Sequence, residues 1–365
     1  MIMNKIESLY KEWLSLQPLK EQDQNRLDQK FMLEFNYNSN HIEGNTLTYG
    51  QTEMLLMFGK VVDEANMKDL EEMKASNVGL KMVKEAALDK EQPLTEYFIR
   101  TLHQTLLRED YTVYRQLPDG TNTSYVVHAG QYKTRPNSVI TATGERFEYA
   151  SPDETPALMT DLLQWYNQAE ADGNMSPIEL ASLFHYRYIR IHPFEDGNGR
   201  ISRLIVNYIL YRHGYPMIVI RTKDKKNYLA ALSKCDAVVG KIPSEGAKAS
   251  LEQIKPFVDY MANVLCKDIS TNIAIIKDKD RSIWWYNGEL ITFKNQNTVN
   301  LLDALNGNGK ITVRDLADKL SINKSAVQKQ LKNLQDRGYL IRIGGKSGYW
   351  QVIIVCTTQN GGTKQ

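Results

Sequence analysis

His192-Pro193-Phe194-Glu195-Asp196-Gly197-Asn198-Gly199-Arg200, followed one residue later by Ser202 and Arg203, is the stretch on which the reading of this chain turns. Its flanks read as helices. Upstream, Ser176-Pro177-Ile178-Glu179 is a helix start: Ser as N-cap, Pro in the first turn, Glu placed to close a capping box. Leu180, Leu183, Phe184, Tyr188 and Ile191 then recur at helical spacing. Pro193 argues against a helix continuing at His192. Downstream, a second helix is expected from about Gly199 to His213, closed by Gly214. Residues 192–198 therefore form a loop that feeds a helix N-terminus. Backbone N–H groups there lack intrahelical partners, and the dipole favours an anion. Gly197 and Gly199 let a ligand approach the backbone closely. Arg200 and Arg203, three apart, project from one side of the first turn. A polyphosphate fits such a site.

The stretch resembles the signature of the Fic family, His-x-Phe-x-(Asp/Glu)-Gly-Asn-Gly-Arg-x-x-Arg, and matches it at every fixed position. Singly, each part has a plainer reading: a packing histidine, a solvated pair of arginines, a Gly-Asn-Gly turn. Their order and spacing together say far more. The resemblance implies a mainly α fold, a Fic helical core with a small β-hairpin flap. For most members it implies transfer of AMP from ATP to a hydroxyl of a target protein, a nucleotidyltransferase activity. His192 would be the general base, since an imidazole titrates near neutrality. Phe194 would anchor the loop. Asp196 would hold a Mg²⁺ that bridges the phosphates. Gly197, Asn198 and Gly199 would cradle the anion, Arg200 would touch the phosphates of ATP, and Arg203 would hold the γ-phosphate so that the α-phosphate is aimed for in-line attack. A related subgroup carries Lys in place of Gly199 and transfers a phosphoryl group, so Gly199 argues for AMP transfer. Glu195 occupies a variable position and reads as solvent-facing, without a role.

Far upstream, Ser39-Asn40-His41-Ile42-Glu43-Gly44 closes a helical stretch in which Leu27, Phe31 and Phe35 are spaced by four. Ser39 and Glu43 share a face, and Gly44 is placed to stop the helix. By itself this is an ordinary helix end. Beside the signature it resembles the Fic inhibitory motif, (Ser/Thr)-x-x-x-Glu-(Gly/Asn), in the class whose inhibitory helix precedes the core. Glu43 would then pair with Arg203 and deny it to the γ-phosphate. Two further stretches extend the resemblance. Gly130-Gln131-Tyr132-Lys133 through Val139-Ile140, with Pro136-Asn137 between, resembles the flap hairpin whose edge docks a target segment as an added strand. Asn227-Tyr228-Leu229 lies where the family covers the adenine. The family often has Asn seven residues after that Tyr; here Cys235 stands there, with Asp236 next.

Length and composition agree. A chain of 365 residues suggests two or three domains, and a net charge of +2 excludes a polybasic coat. Three scattered cysteines argue for a reducing compartment and against a disulfide framework. The N-terminal stretch does not read as a signal peptide, and no apolar run approaches the ~20 residues that span a bilayer. A cytoplasmic protein without a membrane partner is expected. Helices are predicted over 71–86, 94–107, 155–168 and 251–266. The domains are drawn as 1–93, a helical region with the inhibitory helix; 94–270, the Fic core; 278–356, a C-terminal module; and 357–365, a disordered tail.

That module reads as helices over 298–305, 313–320 and 324–337, then strands over 339–343 and 349–353 around a glycine-rich tip. The order resembles a winged helix-turn-helix. Its recognition helix would expose Ser325, Gln328, Lys329 and Lys332. Between 310 and 346 there are nine Lys/Arg and three Asp/Glu, an excess of +6, which suits duplex DNA, with Lys324, Gln328, Lys329 and Lys332 as contacts. The same module can instead pair two copies of a chain into a homodimer. Three functions stay open: a self-inhibited adenylyltransferase acting on a target protein or itself; a winged-helix DNA-binding regulator whose Fic domain senses nucleotide; and removal of AMP from a modified protein, with Glu43 activating water.

Overall fold

The computed structural model describes residues 2–62, 64–116, 120–140, 146–277, 284–286, 289–291, 293, 295–344 and 348–356. The chain opens on five helices, α1 (Ile2–Ser15), α2 (Glu21–Ile42), α3 (Tyr49–Phe58), α4 (Met67–Leu88) and α5 (Glu96–Leu107). Two antiparallel pairs follow: β1 (Tyr111–Gln116) with β2 (Asn122–Val127), and β3 (Ser138–Ile140) with β4 (Arg146–Glu148). Next come α6 (Thr155–Asp172), α7 (Pro177–Ile191), α8 (Asn198–Arg212), α9 (Lys225–Val239), the single turn α10 (Pro243–Gly246) and α11 (Lys255–Lys277). The last part holds β5 (Trp284–Tyr286), β6 (Glu289–Ile291), α12 (Gln296–Gly307), α13 (Val313–Leu320), α14 (Lys324–Asp336), β7 (Leu340–Ile343), β8 (Tyr349–Val352) and β9 (Val355–Cys356). The fold is mainly helical with small antiparallel pairs. No helix among the described residues is long and apolar enough to cross a membrane.

The described residues form two compact units, and neither is continuous in sequence. The first takes the described residues of Met1–Leu14, Asn38–Thr46 and Met67–Ile269. Its centre is α8. Ile201, Leu204, Ile205, Tyr208 and Ile209 are all buried, because α4, α5 and α7 pack around it. Burying five such side chains contributes on the order of 10 kcal/mol, as much as the whole net stability of a domain. The N-terminus of α8 is thereby fixed. α7 starts as its sequence predicts, with Ser176 N–H donating to the Glu179 carboxylate, and it stops at Ile191 before Pro193. α1 covers the far end of α8: Tyr10 stacks on Tyr215 with centroids 3.8 Å apart, and Trp13 donates its indole N–H to the Gly214 carbonyl.

The second unit takes Ser15–Tyr37, Leu47–Asn66 and the described residues of Ser270–Gln365. One core gathers Leu301, Leu305, Leu316, Val327, Leu331 and Leu334 from α12, α13 and α14 with Leu340 and Val352 of the β7–β8 hairpin. A smaller cluster joins Leu33, Tyr49 and Ile353. Edge contacts link Tyr37, Tyr49, Tyr286 and Tyr339 in series, with centroids 5.0–5.4 Å apart. β5 pairs antiparallel with both β6 and β9. The wing tip at 345–347 and the expected disordered tail at 357–365 lie outside the described residues.

Several boundaries differ from expectation. The hairpin predicted across Gly130–Ile140 is displaced: Gly130–Lys133 are irregular, and β3 begins only at Ser138 and pairs with Arg146–Glu148. The reason is that 130–137 spends its polar groups elsewhere, as with Lys133 N–H, which donates to the Pro193 carbonyl. α11 runs eleven residues beyond Cys266, to Lys277. The β1–β2 hairpin and α3 were not anticipated, although Thr48 and Gln51 form a capping box that the sequence displays.

Candidate active site

His192 caps α7 in the left-handed conformation, with φ 52°. Its imidazole stacks on Tyr149, centroids 4.0 Å apart and planes 14° apart. Burial, and then the Lys133 ammonium, push its pKa down to about 4 against the opposing pull of the Ile189 backbone, Glu43 and Asp196. The ring is therefore neutral at ordinary pH, as a base must be. Nδ1 is buried, which leaves Nε2 to meet a substrate. Phe194 is fully buried. Asn198 clamps it from both sides, accepting from the Phe194 N–H at 3.0 Å and donating to its carbonyl at 2.7 Å. The Asn198 side chain thus shapes the loop, and only its backbone stays available to an anion.

Asp196 is held by neighbours. Oδ2 accepts from the Tyr111 hydroxyl at 2.6 Å, and Oδ1 from the Gly197 N–H at 2.6 Å. Burial works against ionisation, but Arg200, the Tyr111 hydroxyl and the Gly197 N–H outweigh it and hold the carboxyl below its usual range. The side chain is 45% exposed. An ionised, accessible, single carboxylate suits Mg²⁺, which keeps waters and takes phosphate oxygens. Among the described residues no group of three His, Cys, Asp or Glu offers a closed cage for another metal.

Gly197, with φ 78°, starts α8. Arg200 leaves its first turn and Arg203 its second, and both are almost wholly buried, at 4% and 3% exposure. Arg200 lies 3.9 Å from Glu72 and 3.7 Å from Asp196. Arg203 is taken up more fully. Nε donates to Ser39 Oγ at 3.0 Å, and Nη2 donates to the Ser39 carbonyl at 2.9 Å and to Glu43 Oε1 at 2.7 Å. Burial tends to raise the Glu43 pKa, yet Arg203 by charge and hydrogen bond, and then Arg200, hold it below the usual value. The carboxylate also rests on Gly199: a Cβ there would fall 2.2 Å from Glu43 Oε1 and 3.0 Å from Arg203 Nη1. An anion thus already stands at the N-terminus of α8.

The end of α2 is tied in place. Lys225 Nζ donates to the Ile42 carbonyl at 2.7 Å, and the Thr222 N–H donates to Asn38 Oδ1 at 2.9 Å. Gly44, with φ 100°, turns the chain away.

The expected flap residues are placed differently. Lys133, expected on the docking flap, is buried. Its ammonium donates to the carbonyls of Ile191 and His192 and to Asn137 Oδ1 at 2.8–3.0 Å. The last carbonyls of α7 need donors, and this need turns the side chain inward; burial brings its pKa down to about 7. Tyr132 is half-buried against Phe194, with its hydroxyl on Glu96. Gly130 closes a left-handed turn that receives Arg100 on its carbonyl. Of the four flap residues only Gln131 is exposed. Glu195 is not idle: its carboxylate accepts from the N–H and hydroxyl of Thr134. Tyr228, expected beside the adenine, is buried with its hydroxyl 2.9 Å from His185 Nε2, while Asn227 is exposed and pairs with Asp224. Cys235 is a buried free thiol.

The sequence reading missed His103 and Tyr111, which lie 93 and 85 residues before Asp196. His103 is fully buried and stacks face to face on Phe194, 3.8 Å apart. Its Nδ1 accepts from the Gly130 N–H and its Nε2–H donates to the Asp196 carbonyl. No local pattern marks either residue.

A model of the Fic/DOC family matches residues 93–210, and one of the MarR family matches residues 295–346. The solved structure of a Fic domain-containing signaling protein from Bacteroides thetaiotaomicron is 57% identical, covers 74% of this chain and is itself covered to 96%, with a TM-score of 0.69. The chain belongs to the Fic family. Protein adenylyltransferase fic-1 of Caenorhabditis briggsae is 27% identical over 253 residues, 69% of this chain and 43% of that protein. This Fic chain thus spans less than half the length of that curated relative. A Fic family protein from Desulfovibrio desulfuricans, 19% identical with a TM-score of 0.57, shares the fold over 99% of this chain and 97% of its own.

In the second unit, the MarR-matching segment presents α14. Thr312 caps α13 and Asn323 caps α14, each by accepting a backbone N–H. Lys324, Ser325, Gln328, Lys329 and Lys332 are exposed on α14, opposite the buried Val327, Leu331 and Leu334.

Proposed function

We propose that this Fic protein is an adenylyltransferase that moves AMP from Mg-ATP to a hydroxyl of a target protein or of itself, and that Glu43 holds it nearly silent. The observation that carries the reading is the convergence on the N-terminus of α8 of a neutral His192, an ionised Asp196 and two buried arginines. Named adenylyltransferases among its relatives support it. Backbone N–H groups at Asn198 and Gly199, with Arg200 and Arg203, would bind the polyphosphate. Asp196 would hold the Mg²⁺, which offsets phosphate charge when bound. His192 Nε2 takes the proton of the target hydroxyl. That oxygen bonds to the α-phosphorus, the bond to the bridging oxygen breaks, and pyrophosphate leaves with the electron pair. Glu43, seated on Gly199 and bonded to Arg203, occupies the place and the cation that the γ-phosphate needs.

The test uses the Glu43→Gly protein, Mg²⁺ and ATP labelled at either phosphate. Protein-bound label from α-labelled ATP alone is expected. Label from γ-labelled ATP alone would mean phosphoryl transfer and would refute the reading.

A second role rests on the MarR match and the exposed lysines of α14: the C-terminal module binds duplex DNA through Lys324, Gln328, Lys329 and Lys332.

A further inference from the structure

Beside His192 a cavity of about 260 Å³ is lined by Arg115, Tyr125, Arg135, Tyr149, His192 and Glu195, among others. Arg115 and Tyr125 share one face of the β1–β2 hairpin, because the register sets Val113 against Tyr125 and Arg115 against Thr123. Tyr111 lies on that face too, and its bond to Asp196 anchors the hairpin to the catalytic loop. Arg135 comes from the loop before β3. Both guanidinium groups lie over the Tyr125 ring, 5.4 Å and 4.6 Å from its centroid. Two like charges held against one ring repel each other. Among the described residues neither forms an ion pair. The carboxylate that lines the cavity, Glu195, already accepts from Thr134. The ring steadies the guanidinium planes and leaves their N–H edges for a bidentate acceptor. Among the described residues that line the cavity the two arginines outnumber the one carboxylate, Glu195, which leaves room for a second anion.

We propose that Arg115 and Arg135, braced on Tyr125, form a subsite that selects targets carrying an acidic side chain next to the accepting hydroxyl. The inference rests on the adenylyl-transfer reading for the meaning of that hydroxyl; the recognition of the acidic neighbour does not.

The test separates the two. The full Glu43→Gly protein is mixed with short fluorescein-labelled peptides that centre on Tyr or Thr and are flanked by Glu, Ala or Lys. Anisotropy gives affinity, and α-labelled ATP gives labelling. The Glu-flanked peptides should bind roughly tenfold more tightly than the Ala-flanked ones, with affinity falling as salt rises. Arg115→Glu with Arg135→Glu should reverse the preference toward Lys, and the milder Arg→Gln pair should abolish it, with melting temperature unchanged in both. Equal binding of Glu- and Lys-flanked peptides overturns the proposal, as does a rise in the KM for ATP in the arginine variants without a change in peptide preference. Labelling without acidic preference removes the subsite and leaves adenylyl transfer standing. Acidic preference in binding, with no label on any peptide or on the protein, keeps the subsite and removes adenylyl transfer.

Discussion

On the proposed reading, replacing Glu43 with glycine should raise AMP transfer well above the wild-type rate. Glu43 Oε1 takes one charge-assisted hydrogen bond from Arg203 at 2.7 Å. A hydrogen bond to a charged group contributes ~1.5–3 kcal/mol. The Glu43 side chain is 40% exposed, so solvent screening trims this to about 1–2 kcal/mol. At about 1.4 kcal/mol per tenfold, Arg203 is withheld from a competing phosphate by roughly 5- to 30-fold. Alignment adds more: a displacement of ~1 Å at the reacting centre can cost ~10²-fold in rate. Turnover should therefore rise more than ATP affinity does. Arg203 stays aimed without Glu43, because Ser39 keeps its two bonds at 3.0 and 2.9 Å. The assay is the initial rate of self-labelling from α-labelled ATP over a range of ATP concentrations. The expected result is a kcat gain near 10²-fold and a KM change of less than about 30-fold, with Arg203→Ala erasing the gain in the same background. A Glu43→Gly protein no more active than wild type would refute the reasoning, and so would a gain that survives the loss of Arg203.

His192→Ala should abolish AMP transfer and leave ATP binding, read by calorimetry, intact; joint loss of both would remove the base assignment. Because the pKa of His192 is depressed from 6.5 to about 4, the base stays unprotonated down to that range. The acid limb of kcat/KM should then fall near pH 4, and a limb near 6.5 would show a solvent-like imidazole in the working state. Asp196→Asn should flatten the dependence of ATP binding on Mg²⁺; an unchanged Mg²⁺ titration would take the metal away from Asp196. In the second unit, alanine at Lys324, Lys329 and Lys332 together should weaken a low-salt gel shift with duplex DNA and lower the salt slope by about 3. The absence of any shift from the intact chain would leave the module as a scaffold.

Where local chemistry decided structure, the sequence was legible. The helix–loop–helix around His192 could be read because Ser176, Pro193, Gly197 and Gly214 act on their own neighbours. α13 was read to the residue, since Thr312 caps its start and the chain turns at Ser321. The flap was misplaced because its fate is set at long range: Lys133 is drawn to carbonyls 58 and 59 residues away. His103 and Tyr111 stayed invisible for the same reason. So did the division into two interleaved units, since α2 and α11 each contribute residues to both and helical periodicity does not mark where one unit ends.

Gly199 carries one more consequence. A side chain at 199 and the present seat of the Glu43 carboxylate do not fit together: the first added carbon would fall 2.2 Å from Glu43 Oε1, so the flexible end of Glu43 has to shift. The two positions are therefore epistatic. On the proposed reading, a lineage that acquires a larger residue at 199 displaces the Glu43 carboxylate in the same mutational step, before the pocket has adapted to another chemistry. The missing Cβ thus ties what can stand at 199 to where the carboxylate at 43 can sit.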